Sequence, residues 1–313
     1  MRSRRVVYAL MTSVVCLWGG AFIAIRILVQ QASPYTVTLL RFVLTTAGLL
    51  VALAVVRPEK RRLDPEDRGK LVLLAVMGVA VYHLALNYGE QFVSASVAAL
   101  IVASFPVMVA ISSRIVLKEQ IGSTKWAGIA LAFLGVVILV LWGTPGAELS
   151  IAGGLGAAVT ALAPLAWTVY TIAGKPLVAK YGALRLTTWA MGLGTLLVAP
   201  FAIGPTLEDL PRLSISDWGW LAFLAYLCST YAYTIWLYAL DVLEASELAV
   251  WIYLVPLLSL AWAAVVLDER PTLFALLGGA MVLGGVILTE RVASRVEASA
   301  RVKQRARLGD STP

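Results

Sequence analysis

Ten apolar runs follow one another along this chain with little sequence between them, at approximately 7–29, 35–56, 71–89, 94–117, 125–143, 152–173, 183–203, 216–240, 246–267 and 271–290. Each approaches the roughly 20 residues that a helix needs to cross about 30 Å of hydrocarbon. A chain with this pattern has few folds open to it, because backbone polar groups in lipid must be satisfied within the spanning segment itself. Only 14% of the 313 residues are charged and 60% are hydrophobic, against roughly a quarter charged in soluble domains. The first run is too long, and leads too directly into further runs, to be a cleaved signal peptide. The expected fold is an all-α integral membrane protein with ten transmembrane helices.

Basic residues orient such a chain, since Lys and Arg collect in cytoplasmic loops. With the N-terminus inside, twenty of the 25 fall on the cytoplasmic side, including Arg2, Arg57, Arg68, Lys118, Lys175 and the tail 291–313. Arg212 and Arg270 fall outside, and Arg26, Arg41 and Arg114 lie within spans. Both termini are therefore expected in the cytoplasm. The net charge of +7 is spread over short loops and this tail, so membrane topology and anionic lipid explain it and nucleic acid does not. Cys16 and Cys228 both sit in apolar runs and form no disulfide framework.

The chain also repeats itself. Residues 87–139 and 237–289, compared at an offset of 150, share twelve identities that include Pro106/Pro256, Glu119/Glu269, Gly128/Gly278 and Gly135/Gly285. At an offset of 149, Trp18 meets Trp167. The unit is five helices used twice. Five is odd, so the second copy enters the membrane inverted, a plan typical of secondary transporters whose two halves exchange inward-open and outward-open states. The expected divisions are 7–143 for the first repeat, 152–290 for the second and 291–313 for a basic cytoplasmic tail.

With these residues in view, "LWGGAFIAIRIL" in the first helix, "SPYTVTLLRF" in the second, and "VLKEQIGSTKWAGIALAFLGVVIL" over the fourth and fifth resemble the drug/metabolite transporter superfamily. The closest fit is to its EamA-type ten-helix members. The resemblance covers about residues 7–290. It implies a metabolite transporter, often an exporter of amino acids or related small molecules, with a central cavity between the halves. One departure is that family members often carry a small residue before the shared glutamate, where this chain has Lys118 and Asp268; it reads as a surface difference.

Polar residues within spans are the candidates for the site. His83 and Asn87, the only histidine and the only asparagine, stand four residues apart on one helical face. Such groups either line a cavity or bond a neighbouring helix. Tyr233 occupies the repeat position of His83, within a helix whose 3.6-residue period aligns Tyr226, Thr230 and Tyr233 in one stripe and Tyr231, Thr234 and Tyr238 in the next. Trp18, Tyr82, Trp167 and Tyr170 add rings too deep for the interfacial belt; core packing is the plain alternative for each. Together, Trp18, Tyr82, His83, Asn87, Trp167, Tyr170, Tyr231 and Tyr233 form the expected substrate site, suited to a flat or amphipathic solute. Arg41, about 10 Å into its helix at the helical rise, is either paired with a neighbouring helix's carbonyls or a contact for a substrate carboxylate. Pro106 and Pro256 are expected to kink their helices and are candidate hinges.

Several classes drop out. No span carries Asp or Glu near its middle, which disfavours a proton-coupled exporter of cationic drugs and an intramembrane aspartyl enzyme. One histidine cannot make an HExxH zinc site, and the Gly-rich "GGLGAAVTALAP" lies inside a span where it cannot cradle phosphates. No enzyme activity, metal or cofactor is expected. The leading reading is a secondary transporter of amino acids, aromatic ones among them, or of related compounds. It is an exporter by the family resemblance, sits in the bacterial inner (plasma) membrane, and is a monomer or weak oligomer. Its alternatives are an exporter of hydrophobic drugs or nucleoside-like solutes and a channel-like protein. His83 is the plausible internal proton site near neutral pH. Glu119, at the end of "VLKEQ", reads as an anion at the start of the following helix, where the helix dipole favours it.

Overall fold

The computed structural model describes residues 4–58, 62–89, 101–142, 154–266 and 272–289. The tail 291–313 and the second copy of the helix-end motif, Asp268 to Arg270, lie outside them. Among the described residues the chain is helical, joined by turns, with no strand. In chain order the helices are α1 (Arg4–Leu28), α2 (Pro34–Val56), α3 (Pro65–Gly89), α4 (Phe105–Leu117), α5 (Ser123–Trp142), α6 (Gly154–Tyr181), α7 (Ala183–Asp209), α8 (Ile215–Val242), α9 (Ala245–Val250 continued by Leu254–Val266) and α10 (Leu273–Thr289). By length and composition α1, α2, α3, α7 and α8 are able to cross a membrane, and α4, α5, α9 and α10 contribute shorter apolar stretches.

These helices hold hydroxyl residues in apolar surroundings by a local device. Thr38, Thr45, Thr160, Thr168, Thr195 and Thr234 each donate to the carbonyl four residues earlier, at 2.7–2.8 Å. The hydroxyl is thereby satisfied without water and the helix stays apolar on its outside. At the start of α2, Ser33 accepts from the Thr36 amide and Pro34 fills the first turn, where its missing N–H is no loss. Asp209, closing α7, accepts from the Ser33 amide and the Thr36 hydroxyl at 2.8 and 2.7 Å, tying two helix ends together.

The packing follows the 150-residue offset. α1 lies against α9, as α6 lies against α4; α3 lies against α6, as α8 lies against α1. The equivalents α2 and α7 run along each other. α5 and α10, also equivalents, cross at their glycines. A Cβ at Gly128 would stand 2.8 Å from the Gly285 carbonyl oxygen, and one at Gly285 would stand 2.5 Å from that of Gly128. Further along, a Cβ at Gly135 would meet the Gly278 carbonyl oxygen at 2.7 Å. Any larger residue would push these two helices apart, which is the close approach that small residues permit.

Candidate functional site

Two helices carry the centre of the molecule, and both depart from α geometry at the same repeat position. α3 is π-helical over Val76–Val81 and α8 over Phe223–Tyr231. A π turn inserts a residue, widens the helix and turns the following side chains to a new direction; such segments recur at functional sites. Immediately after them come His83 and Tyr233. These repeat equivalents face each other, with His83 Nε2 and the Tyr233 hydroxyl sharing a hydrogen bond of 2.8 Å.

Aromatic rings close around this pair. Trp167 stacks on Tyr170 at 4.8 Å and 13° and lies 5.0 Å from Tyr233 and 5.1 Å from Tyr82. Its own repeat equivalent, Trp18, meets it edge-on at 6.1 Å. Phe42 packs on His83 at 4.6 Å, and Tyr82 meets the same imidazole edge-on at 4.8 Å. Each such contact is worth about 0.5–1.5 kcal/mol beyond area burial, so the cluster is a stable packing unit as well as a chemical surface.

Polar groups are embedded in it, and several lack a partner. The Trp18 indole donates to the Cys228 carbonyl at 2.9 Å, and the Asn87 amide donates to the Thr38 hydroxyl at 3.1 Å. Yet His83 Nδ1, Asn87 Oδ1, the Tyr170 hydroxyl and Trp236 Nε1 are buried without a hydrogen bond among the described residues. An unpaired buried polar atom costs about 1–3 kcal/mol. Among the described residues, five further atoms of this kind belong to Thr171, Thr187, Thr206, Glu247 and Tyr253.

Not every predicted residue joins. Tyr231 turns away from the rings and bonds Ser13 through its hydroxyl at 2.8 Å. Tyr226, expected on the stripe with Tyr233, is exposed, because the π segment breaks the 3.6-residue period on which that stripe was drawn. Arg41 reaches the centre from α2, donating from Nε to the Ser229 hydroxyl at 2.9 Å, with its guanidinium 5.5 Å from the Phe42 ring. Pro106 stands in the first turn of α4 after a turn at 103–104, and Pro256 follows the 3-10 stretch Trp251–Tyr253 within α9. Both departures from α geometry precede the proline, whose missing N–H they accommodate. Trp236, Phe42 and Ser229 belong to the centre without having been singled out. Trp236 lies 5.5 Å from Trp18 and 5.9 Å from Trp167; its spacing of three from Tyr233 was the available signal.

A cavity of about 460 Å³ opens elsewhere, on the flank between α2, α3 and α6, lined by residues such as Tyr35, Leu84, Tyr88 and Leu162. None of the predicted site residues lines it.

The charged residues gather at one end of the bundle, around the start of α9. Glu119 accepts from the Ala245 amide at 2.7 Å, the Ser246 amide at 3.1 Å and the Ser246 hydroxyl at 2.5 Å. It therefore caps α9, from the other half of the chain, and not α5 as its sequence position suggested. Lys125 bonds Glu244 at 2.6 Å, Arg4 and Tyr8 both bond Glu247, and Lys175 donates to the carbonyls of Leu240 and Leu243. Nearby, Asp67 accepts from Lys180 and Tyr181 at 2.7 Å each. Lys118, before Glu119, has φ +57°, a left-handed conformation that favours glycine. Its side chain is exposed, in keeping with a surface difference.

Comparisons with known proteins agree with this architecture. The EamA-like transporter family matches residues 5–141 and again 154–291. An uncharacterized transporter of Archaeoglobus fulgidus is 35% identical over 88% of this chain and 96% of its own. The uncharacterized transporter YdfC of Bacillus subtilis is 33% identical over 87% of each. A probable terminal-alkyne amino-acid exporter of Streptantibioticus cattleyicolor is 30% identical over 93% of this chain and 95% of its own. In fold, a crystal structure only 19% identical superposes with a TM-score of 0.74 over 94% of this chain and all of that one. The chain belongs to the EamA-like transporter family, and is a multi-pass membrane protein of the drug/metabolite transporter superfamily.

Proposed function

We propose that this protein is a secondary transporter that exports amino acids, aromatic ones among them, or closely related metabolites across the inner membrane. It works by alternating access between two inverted five-helix halves, 7–143 and 152–290, each contributing five spans. The observation that carries the substrate site is the ring cluster of Trp18, Tyr82, Trp167, Tyr170 and Tyr233 around unpaired polar atoms of His83 and Asn87. Flat rings give a large apolar contact, and the unpaired atoms fix its orientation. The contacts of His83 with Tyr233 and of Trp18 with Trp167, each between repeat equivalents, support a site between the two halves, as alternating access requires. With the rings packed on one another the site is closed to both sides, and transport separates them. The breaks before Pro106 and Pro256 are the hinges of this motion. The charged end, with Arg4, Glu119, Lys125 and Lys175, faces the cytoplasm together with both termini, in keeping with the excess of basic residues there. The amino-acid exporter among the relatives supports the substrate class.

The test is a thermal-shift screen of the purified protein against amino acids and aromatic metabolites, followed by counterflow in proteoliposomes. An aromatic amino acid should raise the melting temperature and exchange with labelled substrate across the membrane. Trp167→Ala should lose that stabilisation; a variant that keeps all of it would refute the ring cluster as the site, and an absence of trans-acceleration would point to a channel.

A further inference from the structure

Arg41 is 4% exposed in the interior of α2. A buried guanidinium in a membrane protein is costly unless an anion or several acceptors compensate it. Here its one hydrogen bond among the described residues is from Nε to the Ser229 hydroxyl, and Ser229 is neutral and itself donates to the Leu224 carbonyl at 2.9 Å. No carboxylate pairs with Arg41 among the described residues. The buried acids among the described residues are engaged elsewhere: Glu119 on α9, Glu247 on Arg4 and Tyr8, Asp67 on Lys180 and Tyr181, Asp209 on Ser33 and Thr36, Asp217 on Ser214. The guanidinium meanwhile lies over Phe42, whose ring also meets His83 and Tyr233. One turn back on α2, Thr38 holds the Asn87 amide.

We propose that Arg41, steadied by Ser229, is the carboxylate subsite of the central cluster, so that the transported solute is a monocarboxylic acid whose anion pairs with the two Nη groups. This rests on the reading of the ring cluster as the substrate site. Ser229 occupies Nε and leaves the Nη edge, which matches a carboxylate through two parallel hydrogen bonds. One positive charge balances one negative charge; a phosphate dianion would bring a second charge with no partner. The solute's carboxylate then supplies the counter-ion that the protein omits.

The experiment measures binding to the purified full-length protein by thermal shift and titration. The probes are phenylalanine, phenylpyruvate and alanine, with phenylalaninamide, phenethylamine and alaninamide as matched compounds without a carboxylate, and inorganic phosphate. The expected result is binding of the acids alone, with Arg41→Gln weakening it on the order of 100-fold and Arg41→Lys weakening it less. Ser229→Ala, which keeps the charge and frees the fork, should weaken the acids several-fold, and it decides the matter if Arg41→Gln does not fold. Amides and amines that bind the wild type as tightly as the acids would overturn the subsite while leaving the ring cluster standing. Phosphate binding tighter than any acid would overturn the monocarboxylate. Binding of alanine with no preference for rings would keep the subsite and sink the aromatic reading; binding of none of the probes would overturn both.

Discussion

The start of α9 and the middle of the bundle are both buried and both polar, but they satisfy their polar groups to different extents, with Glu247 Oε2 the unpaired atom at the first among the described residues. At the start of α9, Glu119 receives three hydrogen bonds, Lys125 has its carboxylate, and Lys175 has two carbonyls. In the middle, Arg41 has no acid among the described residues, and His83, Asn87, Tyr170 and Trp236 each keep an unpaired atom. The sequence already places the candidate site in the middle and marks Glu119 as an anion at a helix start. The hydrogen-bond pattern accords with that division. A satisfied polar cluster holds structure together, whereas an unsatisfied one costs stability until water or a ligand supplies the missing partner.

The largest break in this contrast should come from Glu119→Ala. It strips the cap from α9 and leaves two buried amides and a hydroxyl unpaired, at a cost of about 3 kcal/mol. Thermal unfolding of the purified variant should show a melting temperature several degrees lower, with ligand affinity per folded molecule unchanged. A wild-type melting curve would mean that the carboxylate does not hold α9. Tyr170→Phe probes the other region with the opposite sign. Deleting an unpaired buried hydroxyl while keeping the ring stack on Trp167 should leave stability unchanged or raise it by about 1 kcal/mol. Transport should fall if that hydroxyl serves the solute. A clear loss of stability would show that the hydroxyl is already satisfied, and would blur the distinction between the two regions. The smallest effect belongs to Lys118→Gly beside the cap. Relieving the left-handed conformation at φ +57° should stabilise by up to about 1 kcal/mol, read as a small rise in the same melting curve.

The apolar runs made the helical fold legible, because lipid leaves the backbone few choices. The 150-residue offset went further, pairing His83 with Tyr233 by position before any distance was known, and the two side chains touch. Glu119 shows where such reading stops. A helix start attracts an anion whichever helix it is, and only packing reveals that the relevant start lies 126 residues downstream in α9. The stripe through Tyr226 and Tyr233 failed for a different reason: it assumed 3.6 residues per turn across Phe223–Tyr231, which is π-helical. Trp236 escaped notice because its repeat equivalent is Leu86, so symmetry gave no hint of it.

The contact between His83 and Tyr233 has a consequence for how such a chain arises. In an assembly of two identical five-helix chains, groups meeting on the twofold axis are necessarily alike: histidine opposite histidine, or tyrosine opposite tyrosine. Joining both copies in one polypeptide lifts that restriction while keeping the paired backbone. The junction then holds an imidazole against a phenol, and a leucine at one position where its counterpart is a tryptophan. A junction made unlike on its two sides in this way suits the asymmetric solute proposed above.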